Sequence, residues 1–180
     1  MNLTDSLFFD TDCLSAFLWV DEQSIITMLY PGGVVIPDAV YAELSHPRIS
    51  HLKQRIDTLL NEHLLQIQSI IVGTPVYGLY QKLAMNPDAG MAVIGKGEAS
   101  AIALAKESGG ILASNNLKDV LQYVRLFSLR HVTTGDILKE ALASGLISMS
   151  QGEQIWQDML NKRRKLGANS FKEFLALADV

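Results

Sequence analysis

Four places in the chain put acidic or amide side chains where a catalytic or metal-binding group could stand. Asp10 directly follows the apolar run Leu7-Phe8-Phe9. Glu43 lies in Pro37-Asp38-Ala39-Val40-Tyr41-Ala42-Glu43-Leu44, a helical pattern that starts straight after a second apolar run, Val34-Val35-Ile36. It shares a helix face with the small Ala39, which leaves room beside the carboxylate. Glu98 sits in Gly95-Lys96-Gly97-Glu98-Ala99, where two glycines precede a helix with the apolar face Ala101, Ile102, Ala105. An acid at a helix start also has the ordinary role of complementing the dipole. Finally, Ser114-Asn115-Asn116-Leu117-Lys118-Asp119 follows the run Gly110-Ile111-Leu112-Ala113, with Asn116 and Asp119 on one helical face.

The charge distribution gives these acids a context. Residues 1–47 hold seven acids (Asp5, Asp10, Asp12, Asp21, Glu22, Asp38, Glu43) and no Lys or Arg, whereas the rest of the chain carries a small positive surplus. Carboxylates gathered by folding without basic partners repel one another and take up protons unless a cation joins them. The acidic first quarter therefore points to a metal, with scattered solvated acids as the alternative. The one dense basic run, Lys162-Arg163-Arg164-Lys165, suits either phosphate contacts or a solvated helix end.

The elements that must position these groups follow from periodicity. Strands are expected at 7–9, 34–36, 64–72 and 110–113 and near His131-Val132. Helices are expected at 12–30 with a break near Asp21, then at 38–46, 51–62, 75–85, 97–108, 116–127, 135–144, 150–165 and 170–178. Strands separated by helices imply a mainly parallel sheet covered on both faces, an α/β class. In such sheets ligands bind beyond the carboxyl ends of the strands, where Asp10 falls. The 180 residues predict one domain over 1–148 with a C-terminal helical extension at 149–180 packed on it, its last two helices joined by Gly167-Ala168-Asn169-Ser170.

Composition excludes several classes. With 48% hydrophobic and 19% charged residues the chain is too apolar for disorder, and its apolar runs are far too short for a membrane span. The single Cys13 cannot form an internal disulfide, and acidic Asp5 and Asp10 stand where a secretory signal needs Lys or Arg. A reducing cytoplasm is the expected location. Gly95-Lys96-Gly97 follows the strand-like Met91-Ala92-Val93-Ile94 but lacks a third glycine, since Ser100 holds that place, so a turn and helix start is the simpler reading than a nucleotide loop. Cys13 has no local histidine to make it a nucleophile. His46 and His51 straddle Pro47 and are expected at the surface, and Tyr77 and Tyr80 in packing.

Taken in order, these residues resemble the PIN-domain family of metal-dependent ribonucleases over about residues 7–146. The resemblance rests on an Asp ending strand one (Asp10), a Glu on the helix after strand two (Glu43), a Gly-Glu-Ala helix start (Gly97-Glu98-Ala99) and the Ser114-Asn115-Asn116 position, where the family has Thr-x-Asp. The segment from His131 to Ile147 also resembles PIN proteins that act as toxins of toxin–antitoxin pairs. The resemblance implies an α/β/α sandwich with sheet order 3-2-1-4-5, and hydrolysis of RNA phosphodiester bonds with Mg2+ or Mn2+. It makes Asp10 the central metal ligand, with Glu98 and a third group completing the set, and lets Glu43 bind metal or orient the attacking water. Oxygen ligands suit such hard cations. Asn115 and Asn116 depart from the pattern, because an amide brings no charge, and Asp119 one turn on is the nearest carboxylate to take the acid's place. Asp12 is a reserve ligand or a helix cap. Lys96 and the run from Lys162 to Lys165 are the expected contacts to RNA phosphates. An antitoxin protein and a second copy of the chain are the expected protein partners, and an impaired module that binds RNA or protein without cutting is the alternative function.

Overall fold

The computed structural model describes residues 6–178, so Asp5 and the outermost residues of the two expected units lie outside the described residues. The elements run β1 (Leu7–Phe9), α1 (Thr11–Val20), α2 (Gln23–Leu29), β2 (Val34–Pro37), α3 (Asp38–Leu44), a 3-10 turn (Pro47–Ile49), α4 (Ser50–Asn61) and β3 (Gln66–Gln68). They continue with α5 (Pro75–Ala84), α6 (Lys96–Ser108), β4 (Ile111–Ala113), α7 (Leu117–Phe127), β5 (Arg130–Val132), α8 (Thr134–Ala143), α9 (Met149–Asn161) and α10 (Phe171–Ala178). The five strands pair in parallel in the order β3-β2-β1-β4-β5, with Leu7 of the central strand opposite Val34 on one side and Ile111 on the other.

Side chains alternate across a strand, and here the alternation separates two cores. Leu7, Phe9, Val34 and Ile36 face one layer, packed with Phe17 of α1, Leu52 and Ile56 of α4, Leu138 of α8 and Trp156 of α9. Phe8, Val35 and Leu112 face the other, packed with Leu83 of α5, Ile102 of α6 and Tyr123 of α7. A strand buried on both faces needs the continuous apolar run Leu-Phe-Phe rather than an alternating one. The result is a three-layer α/β/α sandwich. The C-terminal hairpin belongs to the first core: Trp156 stacks on Phe171 and Phe174, with centroids 5.6 and 5.2 Å away, and all three lie in or against that cluster. Among the described residues no helix is long and apolar enough to cross a membrane.

Local signals set most boundaries. The 12–30 helix divides into α1 and α2 because Asp21 takes a left-handed conformation, φ 66°, and its N–H closes on the Phe17 carbonyl. The expected strand 64–72 shrinks to three residues at the sheet edge, since only Gln66–Gln68 has a neighbour to pair with, in β2. Met91–Ile94 forms no strand and leads into α6 as a loop. The expected helix 150–165 stops at Asn161. Lys162 caps it, Arg163 turns left-handed at φ 60°, and the chain reverses so that Leu166 is buried and the Trp156 indole donates to the Ala168 carbonyl, 3.2 Å. The basic run is thus a turn, not a helix face.

Candidate active site

Asp10 closes β1 and opens α1. Its N–H donates to the Ala113 carbonyl of β4, 3.0 Å, which ties the two strand ends together. Its Oδ1 accepts the Cys13 N–H at 2.7 Å, so the helix N-cap is Asp10 itself, and Asp12, exposed in the first turn, is freed from the capping role foreseen for it. Oδ2 of Asp10 is buried and has no hydrogen-bond partner. The residue is fully buried, and that burial pushes its pKa up to about 7, with the charges of Asp12 and Glu98 adding to the rise and the Ser114 hydroxyl and Cys13 amide opposing it.

Glu98 reaches back along the first turn of α6 and accepts the Gly95 N–H through Oε2, 3.0 Å. Its other oxygen accepts from the Asn116 amide nitrogen, 2.6 Å, and the same nitrogen donates to Asp119 Oδ2, 2.7 Å. Asn116 therefore stands between two carboxylates with its donor end toward both, the orientation that electrostatics favours. Asp119 joins the cluster through this bridge. Asn115 points elsewhere, clamping Thr134 at the start of α8: Nδ2 donates to the Thr134 hydroxyl, 2.8 Å, and Oδ1 accepts the Thr134 N–H, 2.9 Å. The half-buried His131 imidazole, its pKa lowered by burial against the opposing pull of the Ser114 carbonyl, donates from Nε2 to that carbonyl at 3.0 Å. These bonds hold the end of β4 rigid from two sides.

Glu43 accepts the Thr11 hydroxyl in a short hydrogen bond and faces the start of α6. A Cβ built on Gly97 would lie 2.9 Å from the Thr11 hydroxyl and 3.2 Å from a Glu43 carboxylate oxygen, so glycine is required for this approach. Lys96 opens α6 and is exposed. Of the basic run, Arg163, Arg164 and Lys165 line a cleft with Asp12 and Asn115 beside this centre. Sequence reasoning did not single out Thr11, which holds Glu43, or Thr134, which holds Asn115; Thr11 lies between Asp10 and Asp12, but nothing local marks Thr134.

The remaining acids of the first quarter disperse. Asp21 meets Arg55, 3.1 Å, and Asp38 caps the Ala39 N–H. Glu22 has a raised pKa, from partial burial and then from Asp21 and Asp158.

A family model described as a PIN domain matches residues 6–180. The chain belongs to the PIN-domain family. A search of curated proteins finds no match. The PIN match spans α9 and α10 as well as the sandwich, and it brings with it a nuclease-like fold, in a family whose members are generally hydrolases. The donor set suits the divalent ion such domains use in one respect: Asp10 Oδ2 is an orphaned, buried carboxylate oxygen beside further carboxylates. In another respect the cluster is not closed. Among the described residues no group of three His, Cys, Asp or Glu side chains is arranged to hold a metal ion; Asp10 bonds to Cys13, Glu43 to Thr11 and Glu98 to Asn116.

Proposed function

We propose that the chain is a divalent-metal-dependent endoribonuclease that hydrolyses RNA phosphodiester bonds. The observation that carries this reading is Asp10, whose unpartnered carboxylate oxygen is buried at the end of the central strand with its pKa raised to about 7. Such a group lacks a positive charge. Asp10, Glu98 and Asp119 would hold Mg2+ or Mn2+, with Asn116 orienting the last two. When bound, the ion supplies an activated water and offsets charge on the phosphoryl oxygens. To hold such an ion Asp10 would have to be in its carboxylate form. Glu43, fixed by Thr11, orients the attacking water, and Lys96 together with the basic run 162–165 supplies the positive charge that draws the substrate phosphates.

The cellular role proposed is the toxin of a toxin–antitoxin pair in the cytoplasm, with an antitoxin protein as partner and a second copy of the chain as a further one; the resemblance of residues 131–147 to such toxins supports it. The test is incubation of the purified chain with mixed RNAs. Cleavage should require Mg2+ or Mn2+, stop with chelator and disappear in Asp10→Asn. Metal-independent cleavage, or full activity in Asp10→Asn, would place the centre elsewhere. The second reading, a PIN module that binds RNA or protein without cutting, draws on the Asn116 bridge, in which an uncharged amide stands between Glu98 and Asp119.

A further inference from the structure

Two clefts at the carboxyl end of the sheet share a wall. The smaller, of about 190 Å³, is the one bounded by Asp12, Asn115, Arg163, Arg164 and Lys165. The larger, of about 400 Å³, begins at the same Asn115 and Lys165 and runs between Leu117 of α7 and Leu177 of α10. The first is cationic, with three basic groups against one carboxylate, beside a centre that is otherwise acidic. The second has two exposed leucines on its lining, Leu117 at 45% and Leu177 at 64%, together with His131, Thr133 and Asp136.

The three basic side chains are not equivalent. Arg164 is occupied, donating to the Lys162 carbonyl, 3.1 Å, and to the Ser15 hydroxyl, 3.3 Å, with its guanidinium 5.8 Å from the Trp19 ring centroid. It pins the turn to α1. Arg163 and Lys165 are exposed and, among the described residues, have no ion-pair partner. Arg163 holds φ 60°, where Gly or Asn would be at ease, so backbone conformation did not select the arginine. Lys162 stays outside both clefts.

A ligand that fills both spaces must join an anion to a flat or compact apolar group. A nucleotide does this, with its phosphate at the cationic end and its base between the leucines, and single strands are bound by this combination of phosphate and base-face contacts. We propose that residues 163–177 together with Leu117 form the recognition track for the nucleotide next to the cleaved bond of a single-stranded RNA: Arg163 and Lys165 take its phosphate, and Leu117 and Leu177 clasp its base. This rests on the ribonuclease reading of the adjoining site. It divides the basic run into two contact residues, one positioning residue and one bystander.

The experiment measures binding of a short fluorescent single-stranded RNA to the full chain in chelator, across a salt series. Arg163→Asn combined with Lys165→Gln, the asparagine chosen because it tolerates the left-handed turn, should lower the salt slope by about 0.7, the value for one single-strand phosphate. Arg164→Gln is left out, since it would loosen the turn. Leu177→Ser should weaken binding of the intact RNA by about three- to ten-fold and leave an abasic RNA unaffected. Urea midpoints of both variants should match the wild type, as all three positions are exposed. An unchanged salt slope overturns the proposal. So does a Leu177→Ser loss that is equal for intact and abasic RNA, or binding of poly-glutamate where RNA does not bind. Because no metal is present, a chain that shows the expected slopes but never cuts RNA overturns only the ribonuclease reading, and one that cuts RNA but is indifferent to both variants overturns only the track.

Discussion

Replacing Asp10 by Asn should stabilise the metal-free protein at alkaline pH and not in acid. The carboxyl is fully buried and its pKa rises from 3.8 to about 7 on folding. Below pH about 4 it is protonated in both states and its ionisation contributes nothing. Between about 4 and 7 the unfolded chain ionises while the folded one does not, so stability falls as pH rises. Above about 7 the loss is complete, about 4 kcal/mol for a shift of roughly three units. Asn keeps the side-chain oxygen that caps the Cys13 N–H, so the helix start is preserved. It places an amide N–H2 where Oδ2 lay without a partner, at a cost of about 1–3 kcal/mol. The net expectation is a gain of about 1–3 kcal/mol at pH 8.5 and, because the wild type has by pH 4.5 lost only about 1 kcal/mol, a loss of up to about 2 kcal/mol there. Urea denaturation in chelator at the two pH values measures both. Mg2+ added at pH 8.5 should stabilise the wild type and not the variant. A difference between variant and wild type that is the same at both pH values would refute the reasoning, because ionisation of Asp10 would then be uncoupled from folding.

Asn116→Asp adds a third carboxylate within hydrogen-bonding range of Glu98 and Asp119; the metal-free melting temperature should fall through repulsion, and Mn2+ should raise it by more than in the wild type, as scanning calorimetry will show. Gly97→Ala pushes a methyl against the Thr11 hydroxyl and the Glu43 carboxylate, so RNA cleavage should drop by at least about ten-fold with the far-ultraviolet circular dichroism unchanged; full activity would show that the Glu43 position is immaterial. Gly152→Ala drives a Cβ to 2.6 Å from the Phe171 ring and should cost about 1–3 kcal/mol in urea unfolding, in a single transition if the C-terminal hairpin unfolds together with the sandwich.

The layer architecture was legible because it rests on short-range patterns. Leu7-Phe8-Phe9, Val34-Val35-Ile36 and Ile111-Leu112-Ala113 are apolar on both faces, as a strand covered on both sides requires, and each lies where the structure has a strand. The position of Asp10 followed from its strand. Boundaries were less legible where the deciding partner is distant in sequence. Ser69–Val72 continues the β-rich composition of its segment, but β3 is an edge with one neighbour, and pairing ends with it at Gln68.

The roles of individual polar groups divide in the same way. That acids and amides would gather at the strand ends is a matter of sheet polarity and could be read from their places after the strands. Which of them touch depends on the sheet order and on helix rotation. Asn115 and Asn116 are adjacent and chemically identical, yet one clamps Thr134, 19 residues away, and the other bridges Glu98 and Asp119. Consecutive residues at the end of a strand point in different directions, so a single register step assigns them to different neighbours. The basic run shows the same limit at the surface. Its composition signals an anion, but it takes the tertiary structure, with Trp156, Leu166 and Phe171 buried together and a left-handed turn at Arg163, to set Arg164 on Trp19 and leave Arg163 and Lys165 on the cleft. Periodicity within four residues is a property of the chain; contacts across dozens of residues arise when the two cores close, and the chemistry of this site is made of such contacts.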